Sequence, residues 1–199
     1  MIAEQLLDTI KAHNYHDTLA MIAYNTTFTD SSIMNLVKVK YAPFTEPKLV
    51  IDGNKVESPT PDSTIFKNNI NAARLVTPSL NLYLGAQAIA TEGTVSLRIV
   101  NVDSLLELDS VFAFVAVCQD SVEGNYKHGF NYVCRNLQYY PVTAAFADST
   151  EDTLTFTFAS PYPIEKLHAV AFIQNLKNSS TEYLKVYQAV TVPFISAQP

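Results

Sequence analysis

The sequence predicts an α+β chain: a mixed helix-and-strand segment over residues 1–77, followed by an antiparallel β-sandwich over residues 78–199. Two observations predict it. Up to Pro78, apolar residues recur at helical spacing between short apolar runs, prolines and one Asp-Gly turn. Beyond Pro78 the text is strand after strand, with a break every ~8–12 residues.

Ala3 to His13 places Leu6, Leu7 and Ile10 on one helical face, with Glu4, Asp8 and Lys11 opposite. Thr18 to Tyr24 is a short apolar run between turn residues and reads as a buried strand. Asp30 and Ser31 can cap a second helix that carries Ile33, Leu36, Val37 and Tyr41 inward, closed by Pro43 and Pro47. Lys48 to Ile51 reads as a strand, and Asp52-Gly53-Asn54 as a hairpin turn into Lys55-Val56. After Pro59 and Pro61, Asp62 or Ser63 caps a helix in which Ile65, Phe66, Ile70 and Ala73 share a face.

The segment boundary falls at Val76–Ser79. Strands are predicted at Leu80–Leu84, Thr94–Val102, Val111–Cys118, Phe130–Leu137, Thr153–Phe158, Leu167–Gln174 and Val186–Val192. Thr94–Val102 and Thr153–Phe158 alternate cleanly, so each has one wet and one buried face. Val111–Val117 is almost wholly apolar and belongs in the middle of the sandwich. Such a run of short antiparallel strands is the pattern of an immunoglobulin-like or jelly-roll sandwich.

Composition narrows the function. Apolar residues make up 48% of the 199 and charged residues 16%, the difference being taken by hydroxyl and amide side chains, as in many exported all-β proteins. A net charge of −6 without a Lys/Arg cluster argues against a nucleic-acid partner. No apolar run approaches the ~18–20 residues that span a bilayer, so no transmembrane segment is expected. The start lacks the charged-then-apolar pattern of a signal peptide, so an export address would have been removed or would lie upstream of Met1.

Catalytic signatures are missing. There is no G-x-S-x-G elbow, and the five glycines form neither a P-loop nor a G-x-G-x-x-G loop. Cys118 and Cys134 match no redox or zinc spacing; they read as two buried thiols on adjacent strands or as a cross-strand disulfide. The densest polar group is Asp120, Glu123, Tyr126 and His128, which suits either a cation or polar-ligand site or a long hairpin loop bonded to its own backbone. No H-x-H or H-E-x-x-H pairing supports a transition metal, and no cofactor is expected. His13 and His16 sit near a helix end and His168 at the start of a strand, and these read as structural, while Asp148, Glu151 and Asp152 around a turn suit either solvated turn acids or a contribution to a calcium site. Asn25 and Asn178 head short glycosylation-type sequons. Loop tyrosines in Tyr139-Tyr140-Pro141 and Pro161-Tyr162-Pro163 suit a binding surface or the capped ends of a sandwich.

Two resemblances accompany this reading. The order helix, strand, helix, Pro-led strand, DG hairpin, helix resembles a thioredoxin fold entered partway. Glu46-Pro47-Lys48-Leu49-Val50-Ile51-Asp52-Gly53 is similar to the stretch in which a cis-proline precedes a strand ending in a DG turn. The resemblance implies a cis bond at Glu46–Pro47. The second half resembles the Omp28-related outer-membrane and secreted proteins through Asp120-Ser121-Val122, Tyr126, His128, Val133-Cys134-Arg135 and the hairpin Ala171–Asn175 with Lys185–Ala189. Thioredoxin-like members carry a Cys-x-x-Cys that this chain lacks, so the thiolate chemistry that needs it is not expected. Against the complete fold the segment lacks its central strand, and a strand added from a neighbouring molecule is one way to fill the slot.

The expected function is therefore non-catalytic: an extracytoplasmic binding or assembly protein, acting on a protein partner or on itself. One alternative is a thioredoxin-like domain without redox activity, binding peptides beside Phe44, Glu46 and Pro47. A calcium- or glycan-binding sandwich using the Asp120–His128 loop is another.

Overall fold

The computed structural model describes residues 20–24, 29–41, 49–56, 63–123, 131–158, 162–180 and 183–197. The predicted helix over Ala3–His13 and the Glu46–Pro47 bond lie outside them. Helix α1 spans Ser31–Tyr41, strands β1 and β2 span Leu49–Ile51 and Asn54–Val56, and helix α2 spans Ser63–Arg74. Then come β3 (Leu80–Ile89), β4 (Glu92–Asn101), β5 (Val111–Gln119), β6 (Val133–Pro141), β7 (Ser149–Thr157), β8 (Leu167–Asn175), β9 (Val186–Pro193) and β10 (Ile195–Ser196).

Strands β3 to β9 form a sandwich. The first sheet runs β10-β3-β4-β7 and the second β6-β5-β8-β9. The chain builds β3 and β4, crosses for β5 and β6, returns for β7 and crosses again for β8 and β9, the Greek-key order of an immunoglobulin-like sandwich. At Phe194, which is buried, it changes sheet once more and pairs β10 in parallel with β3 through Ile195 and Gln87.

Alternation decides what is buried. Val95, Leu97 and Ile99 of β4 meet Val111, Ala113, Val115 and Val117 of β5, Leu167, Ala169, Ala171 and Ile173 of β8, and Phe156 of β7. Removing a side chain such as Phe156 from water contributes about 1.5–3 kcal/mol. The intervening residues of β4 (Thr94, Ser96, Arg98) face water, whereas those of β5 (Phe112, Phe114, Ala116, Cys118) are again apolar. Strand β5 therefore needs cover on both faces.

The second cover comes from the first part of the chain. Ile33 of α1 is buried with Ala116, Cys118, Cys134 and Val170, and Ala20, Ile22, Tyr24 and Val37 pack beside them. Asp30 starts this helix as predicted, its carboxylate accepting the Ser32 amide at 2.8 Å. Residues 20–24 of the predicted strand Thr18–Tyr24 do not share a sheet with β1. Instead Ala23 bridges in parallel to Val133, donating to the Tyr132 carbonyl at 2.7 Å and accepting from the Cys134 amide at 2.9 Å. The exposed edge of β6 supplied unpaired backbone groups, and the apolar outer face of β5 held the segment there.

Strands β1 and β2 form the predicted hairpin, with Ile51 opposite Asn54. Asp52 and Gly53 both take positive φ, 45° and 81°, as a two-residue primed turn requires. The turn rests on the sandwich: the Val186 amide donates to the Asp52 carbonyl at 3.2 Å, and a Cβ on Gly53 would fall on the Leu184 carbonyl. Thus the first segment touches the sandwich through 20–24, α1 and this turn.

Candidate functional site

The outer face of the second sheet carries an aromatic row. Phe114 of β5 stacks on Phe172 of β8, with centroids 4.8 Å apart, and on Tyr139 of β6 at 5.3 Å. Phe112 meets the Tyr139 edge at 6.1 Å. The row follows from register, since Phe114 lies directly between Tyr139 and Phe172 in the ladder. Helix α1 covers the part of the face over Cys118 and Cys134, and Phe114 is buried as well. A cavity of about 330 Å³ remains, lined by Leu36, Ser110, Phe112, Phe114, Tyr139 and Leu176. Tyr139 is 51% exposed beside it. One rim is charged: Lys177 lies 3.2 Å from Asp109 and 3.5 Å from Glu107, and these carboxylates, Asp109 foremost, hold its ammonium above the usual lysine range.

At the other end of this sheet, Asp120 organises the stem of the β5–β6 loop. Its Oδ1 accepts the Tyr132 amide at 2.8 Å and lies 3.6 Å from Nε2 of His168. The Ser121 amide donates to Asn131 Oδ1 at 3.0 Å, and Ser121 and Tyr132 take the positive φ values of a tight stem. Arg135 donates through Nε to Gln119 at 2.9 Å and lies 5.4 Å over the Tyr162 ring. Among the described residues, the structure brings His168, from a strand distant in sequence, to Asp120. Tyr126 and His128 of the predicted cluster lie outside the described residues, as do Phe44, Glu46 and Pro47.

Cys118 and Cys134 stand directly opposite one another on β5 and β6, both fully buried, and no disulfide joins them. Glu151 and Asp152 lie on β7 rather than around a turn, with Asp148 just before it. Among the described residues no group of three His, Cys, Asp or Glu side chains is placed to hold a metal ion. Among them, too, no helix is long and apolar enough to cross a membrane.

Comparison with known proteins gives a fold-level likeness. A domain of the outer membrane lipoprotein Omp28 from Porphyromonas gingivalis is similar to this chain, with 14% identity, 61% of this chain and 92% of that one covered, and a TM-score of 0.41. A β-glucosidase from Kluyveromyces marxianus solved with glucose matches at 8% identity and a TM-score of 0.32, covering 58% of this chain and only 14% of the enzyme. No family model matches the chain, and neither does any curated protein. The relationship to Omp28 is weak and structural. It transfers no activity.

The groove contains residues that single-position reasoning passes over. Tyr139 stood out in the sequence as a loop tyrosine and is in fact on β6. Phe112, Phe114, Leu36 and Leu176 carried no motif. Their signal lay in the two apolar faces of β5, which imply a third layer.

Proposed function

We propose that this chain is a non-catalytic binding and assembly protein working outside the cytoplasm, and that the aromatic groove beside α1 seats an apolar side chain of a protein partner, in the first instance a second copy of the chain. The observation that carries this reading is Tyr139, half-exposed beside a cavity of about 330 Å³ that Leu36, Phe112 and Phe114 also line. Aromatic side chains bury large area at little entropy cost, and pockets lined by them anchor partners. A charged rim at Lys177, Asp109 and Glu107 would select orientation more than add affinity.

The absence of catalytic signatures in the sequence supports the non-enzymatic part. The hydroxyl-rich, lightly charged composition supports a place outside the cytoplasm. The Asp52-Gly53 hairpin followed by α2 supports reading the first segment as a thioredoxin-like remnant adapted to cover a sandwich.

The test is light scattering of the full chain across concentration, with Tyr139→Glu as the probe of the groove. The expected result is a defined oligomer that Tyr139→Glu dissociates without changing the circular dichroism spectrum. A wild type that stays monomeric throughout, or an oligomer indifferent to the substitution, refutes the assembly reading.

A further inference from the structure

The outer face of the first sheet lies on the opposite side of the sandwich from the groove and has a different chemistry. Its ladder places Tyr83 of β3 opposite Arg98 of β4, and Arg98 opposite Glu151 of β7. The Arg98 guanidinium sits 5.9 Å from the Tyr83 ring centroid, and its Nε is 3.4 Å from the Glu151 carboxylate. One step along, Gly85, Ser96 and Thr153 are in register. Together these residues line an open trough of about 560 Å³, within the size range of sites for small ligands.

Two features separate this trough from an ordinary wet sheet face. Gly85 sits mid-strand, where a glycine weakens a sheet and often marks close approach by a ligand or another backbone. A Cβ there would lie 2.8 Å from Ser96 Oγ, which donates to the Gly85 carbonyl at 3.4 Å, so the glycine makes room for that hydroxyl beside Tyr83. Tyr83 is also 54% exposed, an aromatic face presented to water among hydroxyls. A flat ring accepts an apolar C–H face. Around it Arg98 donates, Glu151 accepts, and Ser96 and Thr153 do both.

We infer that this trough binds a neutral glycan: a sugar ring stacks its C–H face on Tyr83, and its hydroxyls meet Arg98, Glu151, Ser96 and Thr153. Arg98 is paired with Glu151 and Asp152 adds a further carboxylate to the lining, which disfavours acidic sugars. Gly85 supplies the room in which Ser96 holds its hydroxyl beside that ring. This site is independent of the protein-binding groove, so either reading can fail without the other.

Calorimetry and amide-shift mapping on the full chain test it, using cellohexaose, maltohexaose and mannohexaose, with an oligogalacturonate and an oligolysine as charged contrasts. The expected result is that one neutral hexamer binds, with shifts centred on Tyr83, Gly85, Ser96 and Arg98. Tyr83→Ala should weaken binding by roughly tenfold or more, while Tyr83→Phe retains it. Both variants change a solvent-facing position, and thermal melts establish that they fold. Absence of binding by all three neutral hexamers at low-millimolar concentration overturns the inference. So do shifts elsewhere on the molecule, tighter binding of either charged contrast, or indifference to Tyr83→Ala.

Discussion

Replacing Gly53 with alanine tests whether the β1–β2 hairpin is docked on the sandwich. Gly53 has φ of 81°, and a Cβ there would fall on the backbone carbonyl of Leu184, which no side-chain rotation can move aside. Left-handed backbone costs an L-residue about 1–2 kcal/mol. Lifting the turn to relieve the clash also gives up the bond from the Val186 amide to the Asp52 carbonyl, a further 0.5–1.5 kcal/mol or about that. The sum is about 2–3 kcal/mol, a fall in Tm of roughly 5–10 °C for a chain of this size. Thermal unfolding by circular dichroism reads the loss, and amide exchange at Val186 reports the lifted turn. If Tm stays within about a degree of wild type and the Val186 amide stays as protected, the hairpin is not docked and the reasoning fails.

Three further outcomes are expected. Desolvation raises the Asp52 carboxyl above its ordinary range, so the folded chain holds that proton longer than the unfolded one, and stability falls as pH rises through the carboxylate range up to the raised value. Asp52→Asn, in a primed turn that tolerates it, should unfold at higher urea than wild type at neutral pH and match it in acid; the reverse order would contradict the assignment. Asp103 has the opposite sign: the Leu105 amide and the Ser79 hydroxyl hold its carboxylate low, so its contribution is present above the ordinary carboxylate range and is lost as pH falls through the lowered value. An NMR titration placing the Asp103 midpoint at or above the usual range would be incompatible with that. Cys118 and Cys134 face one another across an antiparallel pair, where Cα atoms stand ~4.5–5.5 Å apart, inside the range of disulfides. Refolding in a glutathione redox buffer should give a species lighter by two hydrogens, lost in Cys134→Ser; thiols that both remain open to alkylation after refolding would sink the pairing.

The sandwich was legible because its strands obey local rules. Each of the seven predicted strands is present, and β4 alternates as read, with Val95, Leu97 and Ile99 inward and Arg98 outward. The Asp52-Gly53 turn and the Asp30 cap were legible for the same reason, since both are set by their own few residues. The two-residue β10 was not, because Pro193 ends one pairing and the next depends on where Phe194 is buried. The pairing of Ala23 with Val133 was equally hidden: an apolar run announces burial but not which sheet edge it joins. At the loop stem, register brings His168 from β8, opposite Cys118, to Asp120, a neighbour the sequence did not show. Long-range register decides such partners, and one sequence does not display it.

The two outer faces of the sandwich differ in chemistry for a reason that lies in their strands. On the first sheet, β4 alternates strictly, so the face it turns outward is polar and holds water without help. Any ligand there must replace hydrogen bonds to water, which favours a molecule rich in hydroxyls. On the second sheet, β5 turns Phe112, Phe114, Ala116 and Cys118 outward, and that face must be covered to be stable. Helix α1 and residues 20–24 cover one end, through Ile33 and Ala23. Phe114, Ala116 and Cys118 are already sealed, so the cover that the proposed partner would add is over Tyr139, which stands 51% exposed beside the cavity, and a charge introduced there would strike that contact while leaving the sealed residues intact.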